Sequence, residues 1–314
     1  MFKSFLSNIF SITDADYSHK LIRICGIKIR MLKPSNKKQV TIDYSQYSDV
    51  RQLPPAEGFL RDYQLALLSI LKEMDRICQK HNIKYMLSGG TLLGAVRHAG
   101  FIPWDDDVDT DMLRDDYENF IELFNSETSN PDLYCELWRD KNANATCMTK
   151  IRHKKIAQAF VDIFPMDYYP ERLDEKGKAK LNKKILSIRK FLSLNPFRIN
   201  DNKKLMAKMR KLTLHNIDND KPINFDEKPS IHLAIDFRHR TKNWVYDWEQ
   251  ILPLRKIKFE GYEFNCPNDP DYVMHNIYGD YMTLPKNVCP HHTDRDMFTQ
   301  EELTELEKLK SNEK

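Results

Sequence analysis

The sequence predicts an α+β domain of α/β-like character, preceded by a small β-hairpin appendage and carrying a basic helical insertion. Three observations predict it. Short apolar runs bounded by turn residues alternate with segments of helical period through most of the chain. The first forty residues hold their own alternating pair of strands, cut off by a polar stretch. A run near the middle is rich in lysine and arginine at helical spacing.

The elements follow in order. "KLIRICGIKIRM", residues 20–31, alternates on either side of Cys25-Gly26, with Ile22, Ile24, Ile27 and Ile29 against Lys28 and Arg30. That is a hairpin pattern around a glycine-containing turn. The polar segment that follows sets residues 1–45 apart as an appendage from a main domain over 46–314. "FLRDYQLALLSILKEMDRICQKH" carries an apolar stripe of Leu60, Leu65, Leu67, Leu68, Leu71, Met74, Ile77 and Cys78, the mark of an amphipathic helix. "IKYMLS" reads as a strand, "GGTLLGAVRH" as a tight turn into a short helix, and "FIPWDDDVDTDM" as a turn into a second strand. "LRDDYENFIELFNS" is helical. "LYCELWRD", "TCMTKIR" and "AQAFVDIFPM" are three more strands. Residues 171–216 form two basic helices broken at Asn195-Pro196, and from Glu171 to His215 fourteen Lys/Arg face four Asp/Glu. "LRKIKFEGYEFNCP" is a hairpin turning at Glu260-Gly261. "NDPDYVMHNIYGD" is a short helix with Asn268 or Asp269 as its cap. The tail from Thr299 is charged and helix-prone.

Composition bounds the function. The 314 residues are 41% hydrophobic, enough for a substantial core, and 49 basic residues nearly balance 46 acidic ones, which removes a global nucleic-acid signature. The six cysteines, Cys25, Cys78, Cys135, Cys147, Cys266 and Cys289, form no Cys-x-x-Cys pair, so free thiols in a reducing compartment are expected. The first twenty residues lack the apolar core and cleavage site of a signal peptide. No run approaches the ~18 apolar residues of a spanning helix. A cytoplasmic protein is expected.

The chemistry concentrates in residues 101–112. Five aspartates, Asp105, Asp106, Asp107, Asp109 and Asp111, fall within seven positions. In an extended strand, side chains alternate, so Asp105, Asp107, Asp109 and Asp111 would share one face about 7 Å apart. At an effective dielectric near 20 each like-charge pair costs about 2 kcal/mol, a repulsion that a bound cation would relieve. Just upstream, Gly89, Gly90 and Thr91 open a helix whose free N–H groups and positive dipole end suit an anion. Phosphate with a hard divalent cation, Mg2+ or Mn2+, satisfies both halves. A third carboxylate is expected from a neighbouring strand. Asp162, alone in the apolar "AFVDIFPMD", is the candidate, against the plainer reading of a buried carboxylate satisfied by backbone or an arginine. Arg97, Lys150 and Arg152 are candidate phosphate contacts, against ordinary solvated or carboxylate-paired side chains.

Other readings of the acidic run are weaker. Asp105, Asp107, Asp109 and Asp116 match positions of a calcium-binding EF loop, but Thr110 stands where that loop requires glycine. A solvated acidic loop does not account for the apolar neighbours Phe101, Ile102, Trp104 and Val108. Cys289, His291 and His292 in "NVCPHHTD" are a weak metal signal, since no second ligand pair lies at a suitable spacing.

"LSGGTLLGAVRHAGFIPWDDDVDTDM", "TKIR", "FVDIFPMD" and "YGDYMTLP", in that order, resemble the LicD family of bacterial phosphotransferases related to fukutin and fukutin-related protein. The resemblance covers roughly residues 59–170 and 254–285. It implies a nucleotidyltransferase-like mixed sheet flanked by helices. Position by position it implies a turn at Gly89, Gly90 and Thr91, an Asp-x-Asp pair at Asp107 and Asp109 with Asp105 as an added ligand, and a third aspartate at Asp162. Asp111 departs from the family pattern, which has an apolar or small residue there, and segment 171–216 matches no family motif. The N-terminal hairpin instead resembles the opening segment of bacterial capsule and lipooligosaccharide glycosyltransferases.

The implied activity is metal-dependent transfer of a phosphorylated substituent, phosphocholine or similar, from a CDP-linked donor (CDP-choline or a CDP-alditol) to a cell-surface glycan or lipid-linked glycan. Asp107, Asp109 and Asp162 would be catalytic. Gly89, Gly90, Thr91, Arg97, Lys150 and Arg152 would bind the donor, and Asp105, Asp107, Asp109 and Asp162 the metal. A choline head would call for an aromatic cage, to which Trp104, Tyr134, Trp138, Tyr168 and Tyr169 are candidate contributors. A nucleotidyltransferase acting on a small molecule or protein is the enzymatic alternative; a non-catalytic membrane-associated scaffold is the alternative of another class. The basic helices, with the N-terminal hairpin, would give peripheral contact with anionic lipid at the inner membrane face. No nucleic-acid partner is expected.

Overall fold

A computed structural model of the chain describes residues 10–14, 19–24, 27–32, 47, 49–139, 147–194, 201–213, 221–234, 244–284 and 293–311. The chain divides into two compact units, Met1–Thr41 and Ile42–Lys314. In the first, β1 (Phe10–Asp14), β2 (His19–Ile24) and β3 (Ile27–Leu32) form an antiparallel sheet in chain order. Ile24 stands opposite Ile27. The expected hairpin is therefore present, and a third strand, unread in "FSITD", joins it.

The second unit begins with α1 (Gly58–Lys80), β4 (Tyr85–Leu87), α2 (Gly89–His98), β5 (Asp109–Leu113) and α3 (Arg114–Glu127). Then come β6 (Leu133–Arg139), β7 (Cys147–His153) and the long β8 (Ile156–Tyr168). The two basic helices are α4 (Glu175–Leu194) and α5 (Asn202–Thr213). Short strands β9 (Ile231–Leu233) and β10 (Val245–Tyr246) and the single turn α6 (Trp248–Ile251) lead to the hairpin β11 (Arg255–Phe259) and β12 (Tyr262–Cys266). Helices α7 (Pro270–Tyr278) and α8 (Gln300–Ser311) close the order. Asp269 caps α7 by accepting from the Tyr272 N–H at 3.0 Å. Glu260 and Gly261 both have positive φ, the two-residue hairpin turn that "EG" signals.

Strand β8 organises the seven-stranded mixed sheet. It pairs parallel with β5, and antiparallel with β7 along its first part and with β9 along its last. Alternation gives the sheet two unlike faces. Thr110, Met112, Ile151, Val161 and Ile163 are buried on one of them. Helix α1 packs against β8 there, with its Met74 Sδ 3.9 Å from the Thr110 hydroxyl. Leu67, Leu68, Leu71, Met74, Ile77 and Cys78 of the expected stripe are fully buried. The α1 helix thus contributes the largest block of the core, while the opposite face, carrying Asp109, Asp162, Lys150 and Phe160, is left for chemistry. The fold is the α+β mixed sheet with flanking helices that the sequence implied.

The basic insertion is amphipathic. Leu181 and Ile185 of α4 are buried with Leu137 and Val245, while Lys183 and Lys184 are exposed. Lys178, 3% exposed, is paired with Asp247 at 2.9 Å. The packed stripe answers to the ordinary logic of a surface helix. Cys78, Cys135 and Cys266 are buried free thiols. Cys25, Cys289, His291 and His292 lie outside the described residues, as does the side chain of Cys147. No helix among the described residues is long and apolar enough to cross a membrane.

Candidate active site

The turn from β4 into α2 is made by Ser88, Gly89 and Gly90. Gly89 takes φ +51°, which glycine adopts without strain. The turn is stitched to β5 by two hydrogen bonds: the Ser88 N–H donates to the Asp109 carbonyl at 3.0 Å, and the Asp109 N–H donates to the Thr91 hydroxyl at 2.9 Å. Thr91 therefore positions the backbone of Asp109.

The glycines answer to the aspartates directly. A Cβ on Gly89 would lie 2.6 Å from Asp109 Oδ2, and one on Gly90 would lie 2.6 Å from Asp105 Oδ2. Two carboxylates thus press against the N-terminal turn of α2, where free N–H groups and the dipole favour negative charge. The space at Gly90, expected to admit phosphate, is held by the Asp105 carboxylate.

The acidic run is not one strand. Regular β5 starts only at Asp109, and Asp105 to Val108 are irregular. The expectation that four aspartates share one strand face is thereby corrected: only Asp109 and Asp111 share a face of β5, and Asp105 reaches the turn from a loop. That loop is gripped from a distance. Buried Gln64 of α1 donates to the carbonyls of Ile102 at 3.2 Å and Asp105 at 2.8 Å. Glu260, at the tip of the β11–β12 hairpin, accepts from the Phe101 N–H at 2.9 Å and pairs with Arg61 at 2.6 Å. These contacts outweigh the local strand pattern. The EF-loop reading fails too, because the Asp116 carboxylate accepts from the Lys84 N–H at 3.0 Å.

Asp162 arrives by register. It is the parallel partner of Asp109 and the antiparallel partner of Lys150. Lys150 Nζ is 2.5 Å from Asp162 Oδ1, and both side chains are nearly buried. Sequence reasoning expected either a metal ligand or a satisfied carboxylate at Asp162; in the structure a lysine satisfies it. The Lys150 ammonium also lies 3.6 Å from the centroid of the Phe160 ring and 5.0 Å from that of Trp138.

Electrostatics join these groups. Burial, then Asp107 and Asp106, push the Asp105 carboxyl well above the usual carboxylate range, and a hydrogen bond with Asp107 adds to this. Burial raises Asp109 likewise, followed by the charges of Asp107, Asp162, Asp105 and Asp111. Burial raises Asp162, and Lys150 works against that rise. Asp111 accepts from the Ser88 hydroxyl at 2.8 Å, and burial lifts it to about 7. Sequence reasoning missed Tyr278, the last residue of α7. The residue is partly exposed, and loss of solvation and the charges of Asp109, Asp105 and Asp107 raise its phenol. The sole signal was its position in "YGDYMTLP".

The expected basic contacts separate. Lys150 is at the cluster. Arg152 is turned to Glu136 at 3.5 Å and the Ala157 carbonyl at 2.9 Å. Arg97 is buried in the last turn of α2, roughly 12 Å along the helix from Gly89. Its charge acts on His98 and Tyr281. The Arg97 backbone thus stands about two helical turns from Gly89.

Among the described residues, no three His, Cys, Asp or Glu side chains form a ready ligating group. Asp105 turns to Asp107, and Asp162 to Lys150. The donor set nevertheless fits a hard divalent cation: every group offered is carboxylate oxygen, and the raised pKa values record repulsion that such a cation would remove.

Residues 82–191, which contain the glycine turn, the aspartates and Lys150, match the family model described as LicD/FKTN/FKRP, nucleotidyltransferase domain. The chain is similar to the lipopolysaccharide cholinephosphotransferase LicD of Haemophilus influenzae, 30% identical over 263 residues, which is 74% of this chain and 96% of that protein. It is also similar to the ribitol 5-phosphate transferase FKRP of Homo sapiens, 30% identical over 95 residues, 30% of this chain and 18% of that protein. The mouse protein of the same name is 41% identical over 51 residues, 16% of this chain and 10% of that protein. With a relative matched over nearly its whole length and the motif residues gathered at one turn, the chain belongs to the LicD family and is a transferase of phosphate-bearing groups.

Proposed function

We propose that this protein transfers phosphocholine from CDP-choline to a hydroxyl of a lipopolysaccharide glycan, with Mg2+ or Mn2+ held by Asp105, Asp107, Asp109 and Asp162. The observation that carries this reading is the meeting of Asp105 and Asp109 at the Gly89-Gly90 turn, with Asp162 in register beside Asp109. The match to a cholinephosphotransferase over nearly its whole length supports the substituent.

In the proposed reaction the acceptor oxygen attacks the choline-bearing phosphorus, the bond to the cytidine-bearing phosphate breaks, and CMP leaves. A bound cation supplies charge neutralisation along the diphosphate and at the leaving group. The chain's own residues do the rest. Thr91 and Ser88 fix the backbone of Asp109, and Gln64 fixes that of Asp105. Lys150, on a flexible stem, moves from Asp162 to a phosphate oxygen. Asp162, so released, orients the acceptor hydroxyl and accepts its proton. The exposed Lys183 and Lys184 of α4 face outward, as peripheral contact with anionic lipid on the cytoplasmic side of the membrane would require.

The test is CMP release. Purified protein with Mg2+, an acceptor glycan and CDP-choline should release CMP and should stop when the metal is chelated. Release from CDP-ribitol but not CDP-choline would transfer the reading to the alditol branch of the family. No release from either would refute it.

A further inference from the structure

The acidic cluster accounts for phosphate and metal, but not for what stands beside it on the same sheet face. Lys150, Phe160 and Asp162 share that face through the β7–β8 register, and Trp138 of β6 stands diagonal to Lys150, opposite Met148. Phe160 and Trp138 are half-buried. Between them sits a nearly dehydrated ammonium, 3.6 Å from one ring centroid and 5.0 Å from the other, with a carboxylate at 2.5 Å. Two aromatic faces and an anion around one positive charge are the chemistry by which proteins hold quaternary ammonium groups.

The geometry points to Trp138 and Phe160 as the subsite for a cationic head group on the donor, with the Lys150 ammonium marking its place; this rests on the transferase reading above. On donor binding the two cations exchange. Lys150 leaves the rings for the phosphate, and the donor's own ammonium takes the ring faces beside Asp162. The charge at the rings is unchanged by the exchange. A polyol head gains less there: the ring faces give its hydroxyls no hydrogen-bond partner and leave Asp162 as the acceptor beside them. Of the two head groups named among the relatives, the pair of rings therefore selects choline over ribitol.

The experiment titrates the full chain with phosphocholine and with its neutral tert-butyl analogue, which keeps shape and phosphate but removes the positive charge. Wild type should bind phosphocholine about tenfold more tightly than the analogue, ~1.4 kcal/mol. Trp138→Leu and Phe160→Leu should each lose most of that preference while binding the analogue as before. Trp138→Phe and Phe160→Tyr, which keep a ring and the packing, should retain it. Equal binding of the two ligands by wild type overturns the subsite, as does a preference kept in both leucine variants. CMP release from CDP-choline, followed on the same proteins, separates the two failures: release that persists without a charge preference leaves the transferase reading standing and removes only the subsite.

Discussion

Asp109→Asn should make the metal-free protein more stable while abolishing transfer. Asp109 is half-buried, lies in register beside Asp162 and feels the charges of Asp107, Asp162, Asp105 and Asp111. Adjacent strands stand about 4.8 Å apart, and at an effective dielectric near 20 a pair of ionised carboxylates at that spacing costs roughly 3 kcal/mol. Protonation relieves part of this, so a net gain of about 1 kcal/mol is expected from the neutral amide. For a domain of this size that is about 2–4 °C in Tm. The sign of the pH dependence follows from the raised folded-state pKa. The folded protein holds this proton more tightly than the unfolded chain, so wild-type stability falls as pH rises from the usual carboxylate range through the raised value. The variant lacks that loss, and its advantage should be larger at pH 8 than at pH 5. The assay is a thermal melt of both proteins in chelator, at both pH values, repeated with Mg2+. Magnesium should raise the wild-type Tm and reverse the order. A variant that melts no higher than wild type in chelator at pH 8, and that gains as much from magnesium, would refute the reasoning.

Three further outcomes are expected. Lys150→Met leaves Asp162 buried without its cation, and urea denaturation at pH 8 should show a loss of about 3 kcal/mol, smaller at pH 5 where Asp162 is more readily protonated. Gly90→Ala places a Cβ 2.6 Å from Asp105 Oδ2, so the carboxylate must move; calorimetry should find weaker Mn2+ binding in a protein whose circular dichroism is unchanged. Gln64→Leu removes the donor to two carbonyls in the acidic loop, and should cost about 2 kcal/mol and lower kcat more than it raises KM.

Much of this was legible because periodicity is a long-range sum. Helix α1 has six turns of stripe and β8 thirteen residues, so each declares itself. Strands β9 and β10, with three and two residues, carry too few alternations to be read, yet they complete one edge of the sheet. At the site, the glycine turn and the aspartates were legible as residue types in sequence order. Their geometry was not. Asp105 sits in a loop rather than a strand because Gln64 and Glu260, from α1 and the β11–β12 hairpin, hold its flanks. The pairing of Lys150 with Asp162 depends on the β7–β8 register, which no local pattern reveals. Arg97 lies in the motif string, but at the far end of a ten-residue helix from the turn.

In the proposed reaction Asp105, Asp107, Asp109 and Asp162 hold the divalent cation on which transfer depends. Mn2+ binding, read directly by electron paramagnetic resonance on wild type and on Asp107→Asn/Asp109→Asn, tests it most directly. Wild type should bind Mn2+ that Mg2+ displaces, and the double variant should lose it while circular dichroism stays native. Mn2+ bound equally by both proteins would contradict it.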